Sequence, residues 1–153
     1  MGLPDDVRVC FAGFTLGSPC PESEISRAES ELGETLPPVL RELYLAFDGF
    51  NGPTGAAFFW PLFAHGENAP GLVEMNLFYR GDDLFPRGLV SQCLFFGDGG
   101  GGPQWGIKQD IPGKIILWDA EWGSEFEVAG ADPLEVWANE KRIYDELGGQ
   151  AGD

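Results

Sequence analysis

The hydrophobic pattern of the chain changes from helical spacing to strand spacing in its middle, and this change most constrains the fold. In residues 21–49, apolar side chains recur at helical spacing, and the two patterns end at the helix stops Gly33 and Asp48-Gly49. From residue 92 onward, short apolar runs alternate with turns that contain glycine and proline, which is typical of strands. Connections this short require antiparallel pairing. The chain therefore predicts an α+β fold: an antiparallel sheet of about four to six strands packed against N-terminal and C-terminal helices.

The N-terminal part carries two helix patterns. In residues 21–33, Pro21 lies near a first helical position, acids fill the first turn, and Gly33 supplies a left-handed stop. A second helix of about ten residues follows Pro37-Pro38. Its apolar side chains recur at i, i+3, i+4 and i+7, and they are Leu40, Leu43, Tyr44 and Phe47.

Two further helices follow later in the chain. Residues 71–79 predict a short one. The last helix begins at Asp132-Pro133 and ends at Gly148-Gly149, which leaves residues 149–153 as a frayed tail. We expect these helices to cover one face of the sheet.

The strand predictions rest on apolar runs between turns. Pro61 confines the aromatic segment 56–63 to an edge strand or a strand end. Four other runs read as strands, namely residues 92–96, 105–108, 114–118 and 125–128. Helices and strands should share one core, which contains Leu40, Leu43, Phe47, Phe95, Ile116 and Trp137.

Length and cysteine content place the chain in a broad class. A chain of 153 residues is expected to form a single domain over 1–153, with its core at about 21–147. Cys10, Cys20 and Cys93 are an odd set without C-x-x-C spacing, so we expect reduced, buried thiols. No apolar run reaches the roughly 18 residues of a membrane span, and acids stand where a leader has basic residues. These features predict a cytoplasmic protein.

The net charge of the chain limits the classes of molecule that it can bind. It has 25 acidic and 9 basic side chains, which give a net charge of −16 at pH 7. A field of this sign repels phosphate backbones and anionic membrane faces. The sequence therefore argues against direct binding of nucleic acid and of membrane surfaces, and the acidity suits either a basic partner or solubility alone.

A glycine-rich segment formally fits a nucleotide-binding pattern. Gly97–Gly102 matches G-x-G-x-x-G and follows an apolar run. A phosphate site needs a helix directly after the glycines, yet Pro103-Gln104-Trp105 reads as a turn and a strand. Asp98 would also repel a phosphate. We interpret the segment as a hairpin-type turn, and we predict no cofactor.

Other chemistry has little support in the residues. The single histidine, His65, lies in a loop at residues 64–68 without an oxyanion-type sequence. Asp119 with Glu121 or Glu125 could be paired as in a sugar hydrolase, but 25 acids make chance pairs common. Asp82-Asp83 lacks the spacing of a calcium loop. These comparisons predict neither an enzyme nor a metal site.

Aromatic residues beside acids suggest an interface instead. Trp105 follows the glycine turn, and Trp122 stands between Glu121 and Glu125. Interface anchors are enriched in tryptophan, and loops carry function more often than the elements they join. We predict that a protein partner contacts strand-end residues, with Trp105 or Trp122 as anchor and with the acids Asp82, Asp83, Asp98, Asp119, Glu121 and Glu125.

The order and spacing of these segments resemble a known superfamily. The pattern E-x-x-L-G-x-x-L-P over Glu29–Pro37 and the later Phe47-Asp48-Gly49 look like the opening of SUKH (Smi/Knr-like) domains. Residues 94–101 and 114–119 resemble its central strands. One departure is that Asp48-Gly49 stands where Asn-Gly often follows the second helix, with Asn51-Gly52 two residues later.

This resemblance implies an α+β fold and a non-enzymatic role. Many bacterial members are immunity proteins that neutralise a cognate toxin, often a nuclease, so the implied partner is a basic toxin domain. Other members, notably fungal ones, act as regulators or scaffolds. The sequence leaves both roles open, and a neighbouring gene for a large secreted protein with a variable C-terminal domain would favour immunity.

Overall fold

The computed structural model describes residues 2–65 and 70–151 of the protein. Within these residues it contains six α-helices and one sheet of four strands, an α+β arrangement that confirms the predicted fold class. The helices are α1 (Leu3–Cys10), α2 (Glu22–Leu32), α3 (Pro38–Ala46), α4 (Leu72–Gly81), α5 (Arg87–Val90) and α6 (Pro133–Ala151). The strands are β1 (Cys93–Asp98), β2 (Gln104–Lys108), β3 (Ile115–Trp118) and β4 (Glu127–Gly130).

The sheet is a simple antiparallel meander. Its strands are adjacent in chain order, β1-β2-β3-β4, and each neighbouring pair is antiparallel, as the short connections predict. Leu94 of β1 lies opposite Ile107 of β2, and a register shift between Phe95 and Gly97 interrupts this ladder. β4 begins two residues later than the run predicted at 125–128.

Apolar residues fill both faces of the sheet, so the prediction of helices on one face only is wrong. Along β3, Ile115 and Leu117 face the cluster built with α1, α2, α3 and α6. Ile116 and Trp118 face a second cluster, to which α4 and α5 contribute. The continuous apolar run at the start of β1 is the sequence signal for this burial on both faces.

The predicted core residues are all buried, but they do not form one cluster. Each of the six is at most 1% exposed. Leu40, Leu43, Phe47 and Trp137 lie in the first cluster, whereas Phe95 and Ile116 lie in the second. The sheet itself separates the two groups.

Helix ends follow the predicted signals in most places. Gly33 ends α2 with φ 74°, and its N–H donates to the carbonyl of Glu29 at 2.9 Å. Asp132 starts α6, because its Oδ1 accepts a hydrogen bond from the N–H of Glu135 at 2.9 Å. α6 then continues to Ala151, so the predicted stop at Gly148-Gly149 is wrong. Glycine weakens a helix without necessarily ending it. Of the predicted tail, residues 152 and 153 lie outside the described part of the chain.

The first helix of the structure, α1, is not among the helices predicted from the sequence. Pro4, Asp5 and Asp6 occupy its first turn, which is a common helix start. Val7 and Phe11 are fully buried against the first cluster. The early acids therefore belong to a helix N-terminus.

The aromatic segment 56–63 lies along the outer edge of β1 without forming a strand. Its backbone is tied to β1 by hydrogen bonds such as that from Trp60 N–H to the Phe96 carbonyl, at 2.7 Å. Pro61 has no N–H, so a regular ladder cannot continue through it. The segment covers an edge that would otherwise expose unpaired backbone groups.

Candidate partner-binding surface

One end of the sheet gathers several of the predicted site residues. Because the strands are antiparallel, β1 ends where β2 begins and β3 ends. Asp98 lies opposite Gln104, which in turn lies opposite Trp118, and Asp119 follows directly. Sequence distance therefore does not keep Asp98 and Asp119 apart in the fold.

Both of these aspartates are fixed by hydrogen bonds. Asp98 Oδ2 accepts from the indole Nε1 of Trp60 at 3.0 Å, and its Oδ1 accepts from the N–H of Gly100 at 2.9 Å. Asp119 Oδ1 accepts from the N–H of Glu121 at 2.9 Å. Their carboxylates thus hold the adjoining turns in shape while they add negative charge to this end of the sheet.

A short 3₁₀ helix, Ala120–Trp122, follows β3 and carries the predicted anchor. Trp122 is half-buried, whereas Glu121 and Glu125 are exposed on either side of it. The indole Nε1 of Trp118 donates to the carbonyl of Gly123 at 2.7 Å, which fastens this segment to the sheet. Gly123 has φ 63°, a conformation that favours glycine.

The turn after α4 lies beside this segment. The ring of Phe85 is 6.3 Å from that of Trp118, the residue that holds the 3₁₀ segment. Asp82 and Asp83 precede Phe85, and Asp83 forms an exposed ion pair with Arg87. We call this neighbourhood the acidic surface; it comprises Asp82, Asp83, Asp98, Asp119, Glu121, Trp122 and Glu125.

Trp105 does not belong to that surface. It is 4% exposed and lies on the opposite face of the sheet, where its ring meets Phe58 edge-to-face at 5.3 Å. A partner could not reach this ring without opening the core. We therefore assign Trp105 to packing, and Trp122 remains the aromatic anchor of the predicted site.

Two buried polar residues behind the acidic surface, Gln104 and Tyr79, are not predicted from the sequence. Gln104 Nε2 donates to the hydroxyl of Tyr79, and in the described part of the chain Gln104 Oε1 has no hydrogen-bond partner. Burial raises the pKa of Tyr79; the bond from Gln104 opposes this, and the charges of Asp119 and Asp98 add to the rise. The phenol stays neutral, and these carboxylates lie within electrostatic reach of it.

The glycine-rich turn behaves as its sequence predicts. Gly100 and Gly102 have φ of 92° and 106°, and β2 begins at Gln104 directly after the turn. A helix N-terminus that could hold a phosphate does not follow these glycines. Gly102 also approaches Asp119 closely, since a Cβ built on it would lie 2.9 Å from Asp119 Oδ2.

A second polar group lies away from the acidic surface. His65 Nε2 is 3.1 Å from Asp48 Oδ2, and Asp48 Oδ1 accepts from the N–H of Leu62 at 2.7 Å. Burial, followed by the charge of Asp48, raises the pKa of Cys20 to about 12. The thiol stays protonated, so this group lacks a nucleophile. The rest of the predicted loop, residues 66–68, lies outside the described residues.

Apolar side chains line one wide groove, and the cysteines carry free thiols. This groove, of about 380 Å³, is lined by residues such as Pro38, Ile107 and Pro133. Its titratable lining consists of Lys114 and Asp132. The three cysteines are free thiols, two of them buried as predicted and Cys10 half-buried. Across residues 2–65 and 70–151, no three His, Cys, Asp or Glu side chains are arranged to hold a metal ion.

Comparisons with known proteins point to one family. The model of the SMI1 / KNR4 family (SUKH-1) matches residues 19–139, a range that runs from before α2 into α6. No curated protein matches the chain. None of the helices in the described residues combines the length and the apolar character needed to cross a membrane.

Proposed function

Because the chain belongs to the SMI1 / KNR4 family (SUKH-1), we propose that it is a non-enzymatic protein-binding domain of the immunity type. In this role it neutralises a cognate toxin by direct binding. The partner is a basic toxin domain, often a nuclease in this superfamily. The protonated Cys20 thiol and the apolar lining of the groove beside Pro38 are consistent with a role that needs no catalysis.

The observation that carries the proposal is the charge of the acidic surface. Residues 119–127 contain four acids and no lysine or arginine. A nuclease active site is built to hold phosphates, so a surface of this kind can occupy it as a phosphate backbone would. Complementary charge also accelerates encounter, and this acceleration weakens as salt rises.

Trp122 supplies the aromatic anchor that slows dissociation, which charged residues alone do not provide. Charged rims chiefly set the rate of association, whereas buried aromatic anchors set the rate of dissociation. Trp122 is half-buried on a segment that the Trp118 indole holds in place. Trp122→Ala should therefore weaken binding by about 2–4 kcal/mol, mostly through faster dissociation.

The test begins with identification of the partner. Tagged protein is used as bait in an extract of the source cells, and retained proteins are identified by mass spectrometry. Each is then expressed alone and together with this chain in a host that lacks both. Growth arrest by the partner, relieved by co-expression, supports the proposal. A partner that binds but does not impair growth contradicts it and favours the regulatory or scaffold role.

A further inference from the structure

The corner that follows α4 exposes apolar side chains to water. Leu84 is 87% exposed, the highest value among the large hydrophobic residues described. Phe78 and Leu77 on the last turns of α4 are 55% and 42% exposed. The predicted site includes the two aspartates of this corner, Asp82 and Asp83, but not the leucine that follows them.

The turn that carries Leu84 is held rigidly. Asp82 Oδ1 accepts a hydrogen bond from the Leu84 N–H at 2.9 Å, and the Asp82 carbonyl accepts from the Phe85 N–H at 3.2 Å. The ring of Phe85 packs beneath the turn against Tyr79, at 4.9 Å. Leu84 therefore projects from a hydrogen-bonded turn whose aromatic base, Phe85, is half-buried.

A leucine held out in this way contributes little to the packing of the chain that carries it. Exposed apolar side chains grouped among polar residues commonly mark interaction sites. A backbone turn already held by hydrogen bonds also loses less conformational freedom when a partner binds. These features fit a residue that enters a pocket of another protein.

The surrounding charges specify the kind of partner. Phe85 joins the corner to Trp118 and hence to residues 119–127, which carry four acids and no basic side chain. The two arginines nearby in sequence are already paired, Arg80 with Glu34 and Arg87 with Asp83. A second copy of this chain, with its own charge of −16, would be repelled.

We infer that Leu84 is an apolar anchor of the interface with a basic protein partner, which it enters beside the acidic surface. This inference rests on the proposed protein-binding function and names a contact that the function uses. The partner must offer a small apolar pocket bordered by lysine or arginine. Leu84 then acts with Trp122, since Phe85 next to Leu84 packs against Trp118 and the Trp118 indole holds the segment of Trp122.

The probe for the test is the protein that the bait retains, expressed and purified on its own. Its affinity is measured by calorimetry for the wild type and for Leu84→Ser, Leu84→Met and Val9→Ser. Val9 is a matched control, since it is 69% exposed on α1, which packs against α3 and α6. Thermal unfolding of each variant verifies that it folds.

Leu84→Ser should weaken binding about 30-fold, whereas Leu84→Met and Val9→Ser should stay within about threefold of wild type. Equal affinity for all four proteins overturns the inference, and the proposed function still stands if the probe is a neutralised toxin. A harmless basic probe that needs Leu84 overturns the toxin role and supports the anchor. An acidic probe, no retained protein, or a Leu84-dependent dimer seen by light scattering contradicts the inference.

Discussion

The side-chain amide of Asn76 takes the place of a neighbouring strand for Phe95. Asn76 Oδ1 accepts from the Phe95 N–H at 2.9 Å, and Asn76 Nδ2 donates to the Phe95 carbonyl at 2.8 Å. The same Nδ2 also donates to the Leu72 carbonyl at 2.8 Å, and Asn76 is 1% exposed. One residue of α4 thus satisfies both backbone groups of Phe95 on the outer edge of β1 and fixes the helix to the sheet.

Asn76→Leu should therefore destabilise the protein by about 2–4 kcal/mol, because it leaves both Phe95 backbone groups buried without partners. Urea unfolding followed by circular dichroism measures this change. Asn51→Ala removes an exposed amide and serves as the control, with an expected change within about 0.5 kcal/mol. Equal stability of the two variants would show that the edge of β1 does not depend on Asn76.

The register shift in β1 depends on a glycine for a steric reason. A Cβ on Gly97 would lie 1.8 Å from the carbonyl oxygen of Phe58, which belongs to backbone and cannot rotate away. We expect Gly97→Ala to cost about 3 kcal/mol. In the turn that follows β1, a Cβ on Gly101 would have no atom within 4 Å. Gly101→Ala should therefore change the free energy of unfolding by under about 1 kcal/mol. A tolerated Gly97→Ala would mean that segment 56–63 can move away from β1.

The sequence predicts well those elements whose ends are set by residues close by in the chain. Gly33 and Asp132 mark helix ends by their own chemistry, so α2 and the start of α6 follow from short patterns. The role of Asn76 does not follow from a short pattern, because its hydrogen-bond partner, Phe95, is 19 residues away in the sequence. Nothing local distinguishes this asparagine from one on a solvated helix face.

The candidate site likewise has features that the sequence predicts and features that it does not. Asp98 ends β1 and Asp119 follows β3, and in an antiparallel meander these two strand ends lie at the same end of the sheet. The sequence therefore predicts that the two aspartates lie close together. Burial of Trp105 depends on which face of β2 it occupies, and a segment of only five residues does not settle this from sequence. Exposure of Leu84 likewise depends on the turn held by Asp82, and an apolar residue that precedes a phenylalanine reads equally well as buried.

Alkaline pH should destabilise the protein through its buried thiols. Burial is the largest cause that raises the pKa of Cys93 from 9.0 to about 12. The folded state thus keeps a proton that the unfolded state releases above pH 9. The stabilising contribution is complete below pH 9 and is lost as the pH rises toward 12.

Urea unfolding at about pH 8 and about pH 10.5 tests this contribution. Cys93→Ala should lower stability at the first pH, since it removes a buried side chain, but it should lose less than wild type between the two. A pH-dependent loss equal to that of wild type would show that the pKa of Cys93 is the same in the folded and unfolded states.

Position, and not only total charge, should govern association with the partner. Glu121→Gln/Glu125→Gln changes the acidic surface, whereas Glu31→Gln/Glu42→Gln changes exposed acids on α2 and α3. Each pair removes two charges and takes the net charge from −16 to −14. The first pair should slow association about three- to tenfold at low salt, and the control pair far less.

Stopped-flow association at two salt concentrations measures this difference. The gap between the two pairs should narrow as salt rises, because screening acts over roughly 10 Å at 0.1 M. If both pairs slow association equally, only the total charge matters, and the interface lies away from Glu121 and Glu125.

A titration of the partner toxin's activity tests the central claim most directly, because it separates binding from catalysis. The purified toxin is held at a concentration well above the dissociation constant, and its residual activity is measured as wild-type protein is added. The account predicts a linear loss of activity that ends at a fixed molar ratio, with no further loss on longer incubation. Progressive inactivation of the toxin by a small molar fraction of this protein would contradict it, since only an enzyme can act in that way.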